Sequence, residues 1–311
     1  MRRTRKSSSQ LLANYFHDWM TTYKQGAVRE VTFRKYEMTY QHLLDLAPST
    51  RLCDLDRQEY QRILNAFAEH HEHNTVMDFH HQVKAALLDA VDDRLIDVDP
   101  TRRAVVKGTV SRKHKPKFLS KAELSKLMDQ LDLGGEPDTD FLIYLIAKTG
   151  LRFAEALAIT QGDIDPQRQT ISVTKTWNYK DGGGFAPTKN RSSRRKVRIN
   201  YDLLERLRRM GEDRPKDQPL FVADGRRIYN ATVNDRLARL CGRAGIPVIS
   251  VHGLRHTHAS LLLYAGVSTA SVSKRLGHST ISTTQDTYLH IIKELESQDN
   301  DRVLGALNEI G

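Results

Sequence analysis

The sequence predicts a mainly α-helical protein with a small antiparallel β-sheet, arranged as two domains. Three observations lead to this expectation. Apolar residues recur at helical spacing before residue 100 and again towards the C-terminus. Two short segments between these regions alternate between apolar and polar residues, as strands do. A basic stretch at 102–117 separates the regions, and a chain of 311 residues is long enough for about two domains.

The N-terminal region is expected to form a helical domain at 10–101, preceded by a basic tail at 1–9. A tail of this composition is either a disordered terminus or a DNA-contacting arm. Asp56 and Glu59 have the spacing of a capping box, which opens a helix. The expected helices begin near Leu11, Thr32, Arg57 and Thr75 and reach Trp19, Leu46, Phe67 and Leu95.

Five histidines cluster in this domain, and imidazole is a common metal ligand. No cysteine or orderly ligand spacing accompanies them, so we interpret them as exposed or polar-packed side chains. Basic residues on the same helices are either phosphate contacts or a solvated surface, which is the usual state of charged helix faces. The histidines are His70, His71, His73, His80 and His81, and the basic residues are Arg29, Arg34, Lys35 and Lys84.

Residues 102–117 are expected to be a basic linker, since Asp99-Pro100 ends the helical domain. A run of like charge without periodicity is usually flexible. A linker that wraps a duplex would explain this charge, because it would neutralise phosphates.

Residues 118–295 are expected to form a second, mixed α/β domain. Ser120 and Glu123 make another capping box, and Gly150 fits the C-terminal cap of a buried helix. Arg152 then stands at the entry of the next helix. Helices are expected at 121–131, 141–147, 153–159, 201–210, 230–242, 254–264, 269–276 and 283–293, with strands at 170–174 and 196–199 on either side of a Gly-rich turn at 181–184.

The charge balance indicates an anionic partner. Lys and Arg number 48 against 38 Asp and Glu, which gives a formal net charge of +10 and a pI near 9.5. Nucleic acid is the first candidate and an anionic membrane surface the second. No apolar run is long enough to span a bilayer, and no signal-peptide core follows the basic N-terminus. Two cysteines, Cys53 and Cys241, are too few for a disulfide framework, so we expect a reducing, cytoplasmic setting with both thiols packed as small apolar groups.

The segment 252–288 contains the most informative polar residues: His252, Arg255, His278 and Tyr288. Arginine offers a planar fork of donors that matches phosphate oxygens. Histidine donates to an oxygen or takes a proton near neutral pH, and tyrosine can act as a covalent nucleophile. Such side chains, if they converge on one cleft, suit a phosphate group.

Four segments, in this order, resemble the signature boxes of the tyrosine recombinase (phage integrase) family. Each box is weak alone, and the four together are a strong signal. The resemblance covers roughly residues 9–295 and is greatest to integrases of phages and conjugative transposons of Gram-positive bacteria. The segments are Thr149–Leu157 with Arg152, Thr188–Arg195 with Lys189, His252–His256 with Arg255, and Leu276–Tyr288 with His278.

The resemblance implies a site-specific DNA recombinase. Tyr288 would attack the scissile phosphate, expel a 5′-hydroxyl and form a 3′-phosphotyrosyl link that conserves the bond energy. A phenol needs a base or electrostatic help to attack at pH 7. The implied roles are His252 as base, Lys189 as general acid, Arg152 and Arg255 as a clamp on the non-bridging oxygens, His278 as a hydrogen-bond donor, and Glu155 as an orienting group one helical turn after Arg152. These cations would take the place of Mg²⁺, so no metal and no cofactor is expected.

The same resemblance implies partners. The helical domain at 10–101 would be a core-binding domain on double-stranded DNA attachment sites, and the protein would work as a homotetramer there. The apolar tail at 296–311 would pack on its own domain or dock on a neighbouring protomer. A directionality factor and a DNA-bending protein are possible accessory proteins, no membrane is involved, and the protein would be cytoplasmic and associated with the nucleoid. The target site and the balance of integration and excision are not encoded in these motifs.

Several alternatives share parts of this pattern. A chromosome-dimer or plasmid resolvase has the same chemistry, a type IB topoisomerase only relaxes supercoils, and a noncatalytic DNA-binding regulator would tolerate Tyr288→Phe. His252 and His256 have the i, i+4 spacing of zinc ligands, but Gly253 replaces the glutamate that metalloproteases need and Arg255 would repel a cation. His256 and His258 are therefore expected to pack in the helix or to face DNA.

Overall fold

A computed structural model describes residues 9–109, 118–134, 138–180, 182–212, 214–222 and 225–288. The chain divides into two compact units, one up to residue 114 and one from residue 115. The expected basic tail except Ser9, the second half of the expected linker and the apolar tail at 296–311 lie outside the described residues. No described helix is long and apolar enough to cross a membrane.

The first unit is built from helices whose apolar faces meet, as the periodicity predicts. Phe16, Leu43, Leu64 and Val83 lie in its core, each at most 3% exposed. Trp19 of the first helix donates from Nε1 to Oδ2 of Asp89 in the fourth helix at 2.6 Å, so a polar contact also joins these two helices. Its described helices are α1 (Leu12–Tyr23), α2 (Glu30–Leu46), α3 (Arg57–Ala68) and α4 (His73–Asp92), with a 3-10 turn at Leu52–Asp54.

The ends of these helices follow from local chemistry. Asp56 accepts from the Glu59 amide at 2.8 Å, so the predicted cap of α3 is present. Helix α4 ends at Asp92, three residues earlier than predicted, because Arg94 takes a positive φ of 58°. A residue in this left-handed region cannot continue a right-handed helix.

The histidines of the first unit are packed through their rings or exposed. His71 stacks on Phe67 with 3.9 Å between ring centroids, and buried His80 bonds the Tyr60 hydroxyl through Nδ1 at 2.9 Å. His70 and His81 are exposed. Within the described ranges there is no group of three or more His, Cys, Asp or Glu that could hold a metal ion.

Residues 102–109, the first half of the expected linker, lie on the first unit. Ala104 and Val106 pack against its core, and Gln61 accepts from the Val105 amide at 2.8 Å. The Thr109 amide donates to the His71 carbonyl at 3.1 Å. The basic residues within 102–109 therefore stand on a stretch of backbone that is held against the first unit.

The two cysteines differ in their environment. Cys241 is buried in the core of the second unit, as expected. The expectation for Cys53 is wrong: this thiol is exposed, because it follows Leu52 in a surface 3-10 turn and the leucine occupies the inward position.

The second unit confirms the predicted combination of helices with small antiparallel sheets. The strands β2 and β5 pair with Ile171 opposite Val197, both fully buried. A short β1 pairs on the other side of β2, and β3 and β4 form a separate two-stranded ribbon. The bounds are β1 (Ile164–Asp165), β2 (Thr170–Val173), β3 (Lys175–Trp177), β4 (Phe185–Pro187) and β5 (Arg195–Arg198).

The helices of the second unit surround one buried helix. Residues 141–147 of α6 are at most 6% exposed, so this helix is apolar on nearly every side and forms the centre of the core. The described helices are α5 (Lys121–Met128), α6 (Thr139–Thr149), α7 (Phe153–Leu157), α8 (Tyr201–Met210), α9 (Asn230–Ala244), α10 (Val251–Tyr264), α11 (Thr269–Leu276) and α12 (Ile281–Thr287).

Three of these helices end earlier than predicted, namely α5, α7 and α12, and three begin earlier, namely α6, α10 and α12. α12 ends at Thr287, so Tyr288 lies at its C-cap and not inside the helix predicted at 283–293. After α5 the amides of Gln130 and Leu131, and after α7 those of Ala158 and Ile159, donate to the carbonyl three residues back. Such hydrogen bonds tighten the last turn into 3-10 geometry, so both α-helices end earlier. α10 begins at Val251 because Ser250 caps it by accepting from the Gly253 amide at 3.1 Å. His252 therefore lies inside the first turn of α10.

Candidate active site

Arg255 fixes the centre of the candidate site. It lies on α10 and is only 3% exposed. Its Nη1 donates to the Gly150 carbonyl and its Nη2 to the Leu276 carbonyl, both at 2.7 Å. Gly150 caps the C-terminal end of α6 and Leu276 ends α11, so the guanidinium sits where two helix dipoles place negative potential. Burial, followed by the charge of Arg152, lowers the pKa of Arg255 to about 9, so it remains protonated at neutral pH.

Arg152 is held beside the same two chain segments. It is the N-cap residue of α7, directly after the Gly150-Leu151 turn. Its Nη2 donates to the Gly277 carbonyl at 3.0 Å, and its Nη1 donates to Glu155 Oε1 at 2.8 Å. Since Arg255 binds the carbonyl of the neighbouring Leu276, the fold brings the two sequence-predicted arginines together.

Glu155 is the anionic partner of this cluster and is 2% exposed. Besides Arg152 it binds Arg195, which donates from Nη2 to Oε2 at 2.9 Å and from Nη1 to Oε1 at 3.2 Å. Burial by itself raises the pKa of the carboxyl, but the hydrogen bonds and charges of Arg195 and Arg152 outweigh it, so the pKa lies below its ordinary value. The glutamate is therefore ionised and neutralises part of the positive charge.

Arg195 ends the segment Thr188–Arg195, in which Lys189 was the expected catalytic residue. Its side chain is 4% exposed, and its Nε donates to the Arg275 carbonyl at 2.5 Å. It thus ties β5 to α7 and α11 inside the protein. The sequence gives no signal for this pairing, because Glu155 and Arg195 are 40 positions apart.

His278 follows the left-handed Gly277 that ends α11. Its Nδ1 lies 2.7 Å from Thr284 Oγ1 of α12, which fixes the orientation of the ring. Burial, then the charges of Arg255 and Arg152, lower the pKa of His278 to about 4. The imidazole is therefore neutral at physiological pH and can still donate one hydrogen bond.

Tyr288 caps the end of α12 and is 2% exposed. Its hydroxyl lies 2.9 Å from Nδ1 of His256. Burial raises the pKa of Tyr288 to about 12, although the charge of Arg255 opposes this shift. His256 was expected from the sequence to pack in the helix or to face DNA, and it is the site residue that sequence reasoning missed.

His252 lies one helical turn before His256 on α10, and the two rings meet edge to face with 4.8 Å between centroids. The His252 side chain is exposed at the edge of the cluster. Displacement of water by the surrounding protein, then the charges of Arg255 and Arg152, lower the pKa of its imidazole. The imidazole of His252, the residue expected to act as base, is therefore neutral at pH 7 and interacts with the charges of Arg152 and Arg255. The tyrosine hydroxyl contacts His256.

Lys189 stands exposed between β4 and β5. The turn that follows it is well fixed: the Asn190 side chain accepts from the Ser193 amide at 3.0 Å and from the Ser193 hydroxyl at 2.6 Å. Buried Thr188 donates to the Asn190 carbonyl at 3.1 Å. The backbone on both sides of exposed Lys189 is therefore held.

The arrangement suits phosphoryl transfer from a tyrosine. Two guanidiniums and a neutral imidazole supply donors for non-bridging oxygens, and a buried phenol adjoins a second imidazole. One carboxylate in the cluster is already saturated by two arginines, so the net local charge is positive.

Comparisons with known proteins agree with this architecture. The model of the phage integrase family matches residues 117–294. The chain is 26% identical to a XerC-like tyrosine recombinase of Caldanaerobacter subterraneus subsp. tengcongensis, over 90% of this chain and 79% of that protein. It is 30% identical to the integrase of Staphylococcus phage L54a, over 49% of this chain and only 48% of the phage protein. The integrase of transposon Tn1549, solved with a circular intermediate DNA, has a similar fold with a TM-score of 0.75 at 19% identity, covering 89% of this chain and 94% of that one.

Fold and relatives define the class of this protein as a tyrosine-type DNA recombinase. The chain belongs to the phage integrase family.

Proposed function

We propose that this protein integrates and excises a mobile DNA element by site-specific recombination, through a 3′-phosphotyrosyl intermediate on Tyr288. The observation that carries the proposal is that Arg152, Arg255 and His278 cluster at the ends of α6 and α11, while Tyr288 lies close enough for the charge of Arg255 to act on its hydroxyl. Such a cluster has positive charge, hydrogen-bond donors and a covalent nucleophile within one domain, which strand cleavage and rejoining require.

Each residue has a distinct part in the proposed reaction. Arg152 and Arg255 stabilise the charge that develops on the non-bridging oxygens, and His278 adds a donor that is neutral before the substrate binds. Lys189 protonates the leaving 5′-oxygen, because it is a cationic donor on an exposed loop that a duplex can approach. Glu155 holds Arg152 and Arg195 in place and takes no part in proton transfer.

The proposed partners follow from family membership and from charge. Double-stranded attachment sites are the substrate, and four protomers assemble on the DNA with the tail at 296–311 docking on a neighbour. The residues 10–101 bind the core site, 102–117 connect to the catalytic residues 118–295, and the net charge of +10 favours contacts with phosphates. A directionality factor and a bending protein assist, and the reaction takes place on the nucleoid in the cytoplasm.

A resolvase of chromosome or plasmid multimers is the second candidate. The observation that favours it is the match to a XerC-like recombinase, of which this chain covers 79%. A resolvase and an integrase share the chemistry and differ in the DNA they recognise, so mapping of the bound sites in the host genome separates them.

Recombination in vitro tests the proposed function. A supercoiled plasmid carries two copies of the duplex that the Tyr288→Phe protein selects from a random pool. The wild type is expected to invert or excise the plasmid segment between the two sites. Tyr288→Phe is expected to yield no recombinant product. Tyr201→Phe is the matched control, since Tyr201 is a 64% exposed tyrosine on α8. Relaxation without exchange would indicate a topoisomerase, and tight binding without any cleavage would indicate a noncatalytic regulator.

A further inference from the structure

The Tyr288 hydroxyl has a defined partner in the described part of the chain. Tyr288 is almost completely buried, and a buried hydroxyl requires a hydrogen bond. Among the described residues its hydrogen bond goes to Nδ1 of His256, at 2.9 Å. The two rings lie 5.8 Å apart at 59°, so this contact joins α12 to α10.

Two other groups of the site that could take a proton, Glu155 and His278, are engaged elsewhere, and His252 contacts His256 through its ring. Both carboxylate oxygens of Glu155 accept from Arg152 and Arg195. Nδ1 of His278 lies against Thr284 Oγ1. Among the described groups that can take a proton, His256 is the one in hydrogen-bond contact with the reacting oxygen, which is the first requirement of a general base.

We propose that Nδ1 of His256 accepts the phenolic proton as Tyr288 attacks the phosphate, while His252 contributes a hydrogen bond to a phosphate oxygen. This inference rests on the proposed function. In the step the O–H bond of Tyr288 breaks and an N–H bond forms at His256. The freed electron pair forms the O–P bond, the P–O5′ bond breaks, and the leaving oxygen takes a proton from Lys189.

The electrostatics of the site favour these two roles for His256 and His252. At a pKa of about 12 only about one Tyr288 in 10⁵ is ionised at pH 7, so removal of the proton has to accompany the attack. The imidazolium formed at His256 would lie beside a phosphate that carries extra negative charge in the transition state. His252 has charge interactions with both arginines that clamp this phosphate, which suits a donor to its oxygens.

Two substitutions separate proton transfer from positioning. His256→Ala removes the contact, whereas His256→Asn places a carboxamide oxygen near the Nδ1 position, so it can accept the same hydrogen bond but cannot take the proton. The substrate is the selected duplex, nicked to trap the covalent product, with the nick placed at each position in turn. Rates of covalent product formation are measured at saturating protein in a single turnover.

The proposal predicts that both variants lose 10²-fold or more in rate, the range for general acid–base catalysis, while DNA affinity stays within threefold of wild type. A substrate with sulfur in place of the bridging 5′-oxygen expels a thiolate that needs no proton. This substrate is expected to rescue Lys189→Ala and to leave His256→Ala impaired.

Nitrogen NMR of the free protein gives a readout that requires no DNA. A base role requires the tautomer of His256 that carries its proton on Nε2, with the Nδ1 resonance shifting in Tyr288→Phe. The signal is assigned by its loss in His256→Asn.

The inference would be overturned if His256→Asn stayed within tenfold of wild type, which would leave a positioning role alone. Rescue of His256→Ala by the sulfur substrate, or an Nδ1–H tautomer that donates to Tyr288, would overturn it as well. A different result identifies failure of the proposed function itself: wild type that binds the duplex yet forms no covalent product at any nick position, or a product that persists in Tyr288→Phe.

Discussion

Glu155→Gln is expected to destabilise the catalytic unit strongly. The wild-type carboxylate accepts four hydrogen bonds, from the Arg152 amide at 3.0 Å, Arg152 Nη1 at 2.8 Å, and Arg195 at 2.9 and 3.2 Å. Its side chain and that of Arg195 are 1% and 4% exposed. In glutamine an NH2 group replaces one carboxylate oxygen, and this group donates hydrogen bonds and accepts none. It would therefore meet the N–H donors that now bind that oxygen, and Arg195 would be buried near Arg152 and Arg255 without a counter-charge.

The magnitude follows from the burial of this pair. Removing one partner of a buried ion pair costs about 3–5 kcal/mol of unfolding free energy. A unit of this size loses about 2–4 °C in melting temperature per kcal/mol, so the shift is about 6–20 °C. Differential scanning calorimetry of the full chain is the assay, and the transition of the first unit is expected to remain unchanged.

Glu205→Gln is the matched control, because it is the same substitution in the same unit. Glu205 lies 3.8 Å from Arg208, whose side chain is 55% exposed. Such a surface pair contributes at most about 1 kcal/mol. Equal melting shifts for Glu155→Gln and Glu205→Gln would refute the reasoning that the buried carboxylate compensates the arginines.

The pH dependence of the same pair has a defined sign. The folded pKa of Glu155 lies below its ordinary value of 4.5. The pair therefore stabilises the fold fully above pH 4.5, and this contribution is lost as the pH falls from there through the folded pKa. Glu155→Gln is expected to flatten the acid limb of the stability profile, and an unchanged acid limb would contradict the assignment.

Three further predictions concern the surroundings of the site. The pKa values of His258 and His278 are lowered to about 3 and about 4, chiefly by burial, so the unfolded state binds protons first and the melting temperature should fall between pH 6.5 and 4; a flat profile from pH 7 to 4.5 would contradict this. Gly150→Ala should lower the free energy of unfolding, measured in urea, by about 2–4 kcal/mol. The φ of this residue is +68°, and the new Cβ would lie 2.7 Å from Cδ2 of His258. An unchanged free energy of unfolding would show that the loop adjusts without cost. Asp140→Asn should cost about 3 kcal/mol, the lower end of the range for a buried pair because Arg236 is 28% exposed. The fully buried carboxylate accepts two hydrogen bonds from Arg236 at 2.7 and 2.6 Å, and the double variant with Arg236→Leu should recover part of the loss in urea unfolding.

The helices and the main sheet could be predicted because their signals are local. The apolar spacing in α1 and α6, the cap at Asp56 and the glycine after α6 act within a few residues of where they are read. The short strands β1, β3 and β4 have two or three residues each, which is too short for an alternation to register. They form because neighbouring strands supply their hydrogen bonds.

Most residues of the site could be predicted from the sequence, but the hydrogen-bond contacts between them could not. Arg152, Arg255, His278 and Tyr288 stand in recognisable boxes, and the fold brings these boxes together. The contact between Tyr288 and His256 depends on how α12 packs against α10, which spans 32 positions in the chain. The i, i+4 spacing of His252 and His256 was visible in the sequence, but it indicated only helix packing or a surface that faces DNA, since Gly253 and Arg255 argue against a zinc site.

The most direct test of the central claim is the identity of the amino acid that binds DNA. The wild-type protein is trapped on the nicked duplex, the DNA is trimmed with nuclease, and the tryptic peptides are sequenced by mass spectrometry. The account predicts a nucleotide adduct on the peptide 276–293, in which Tyr288 is the one tyrosine. An adduct on another peptide, or tight specific binding without any adduct, would contradict it.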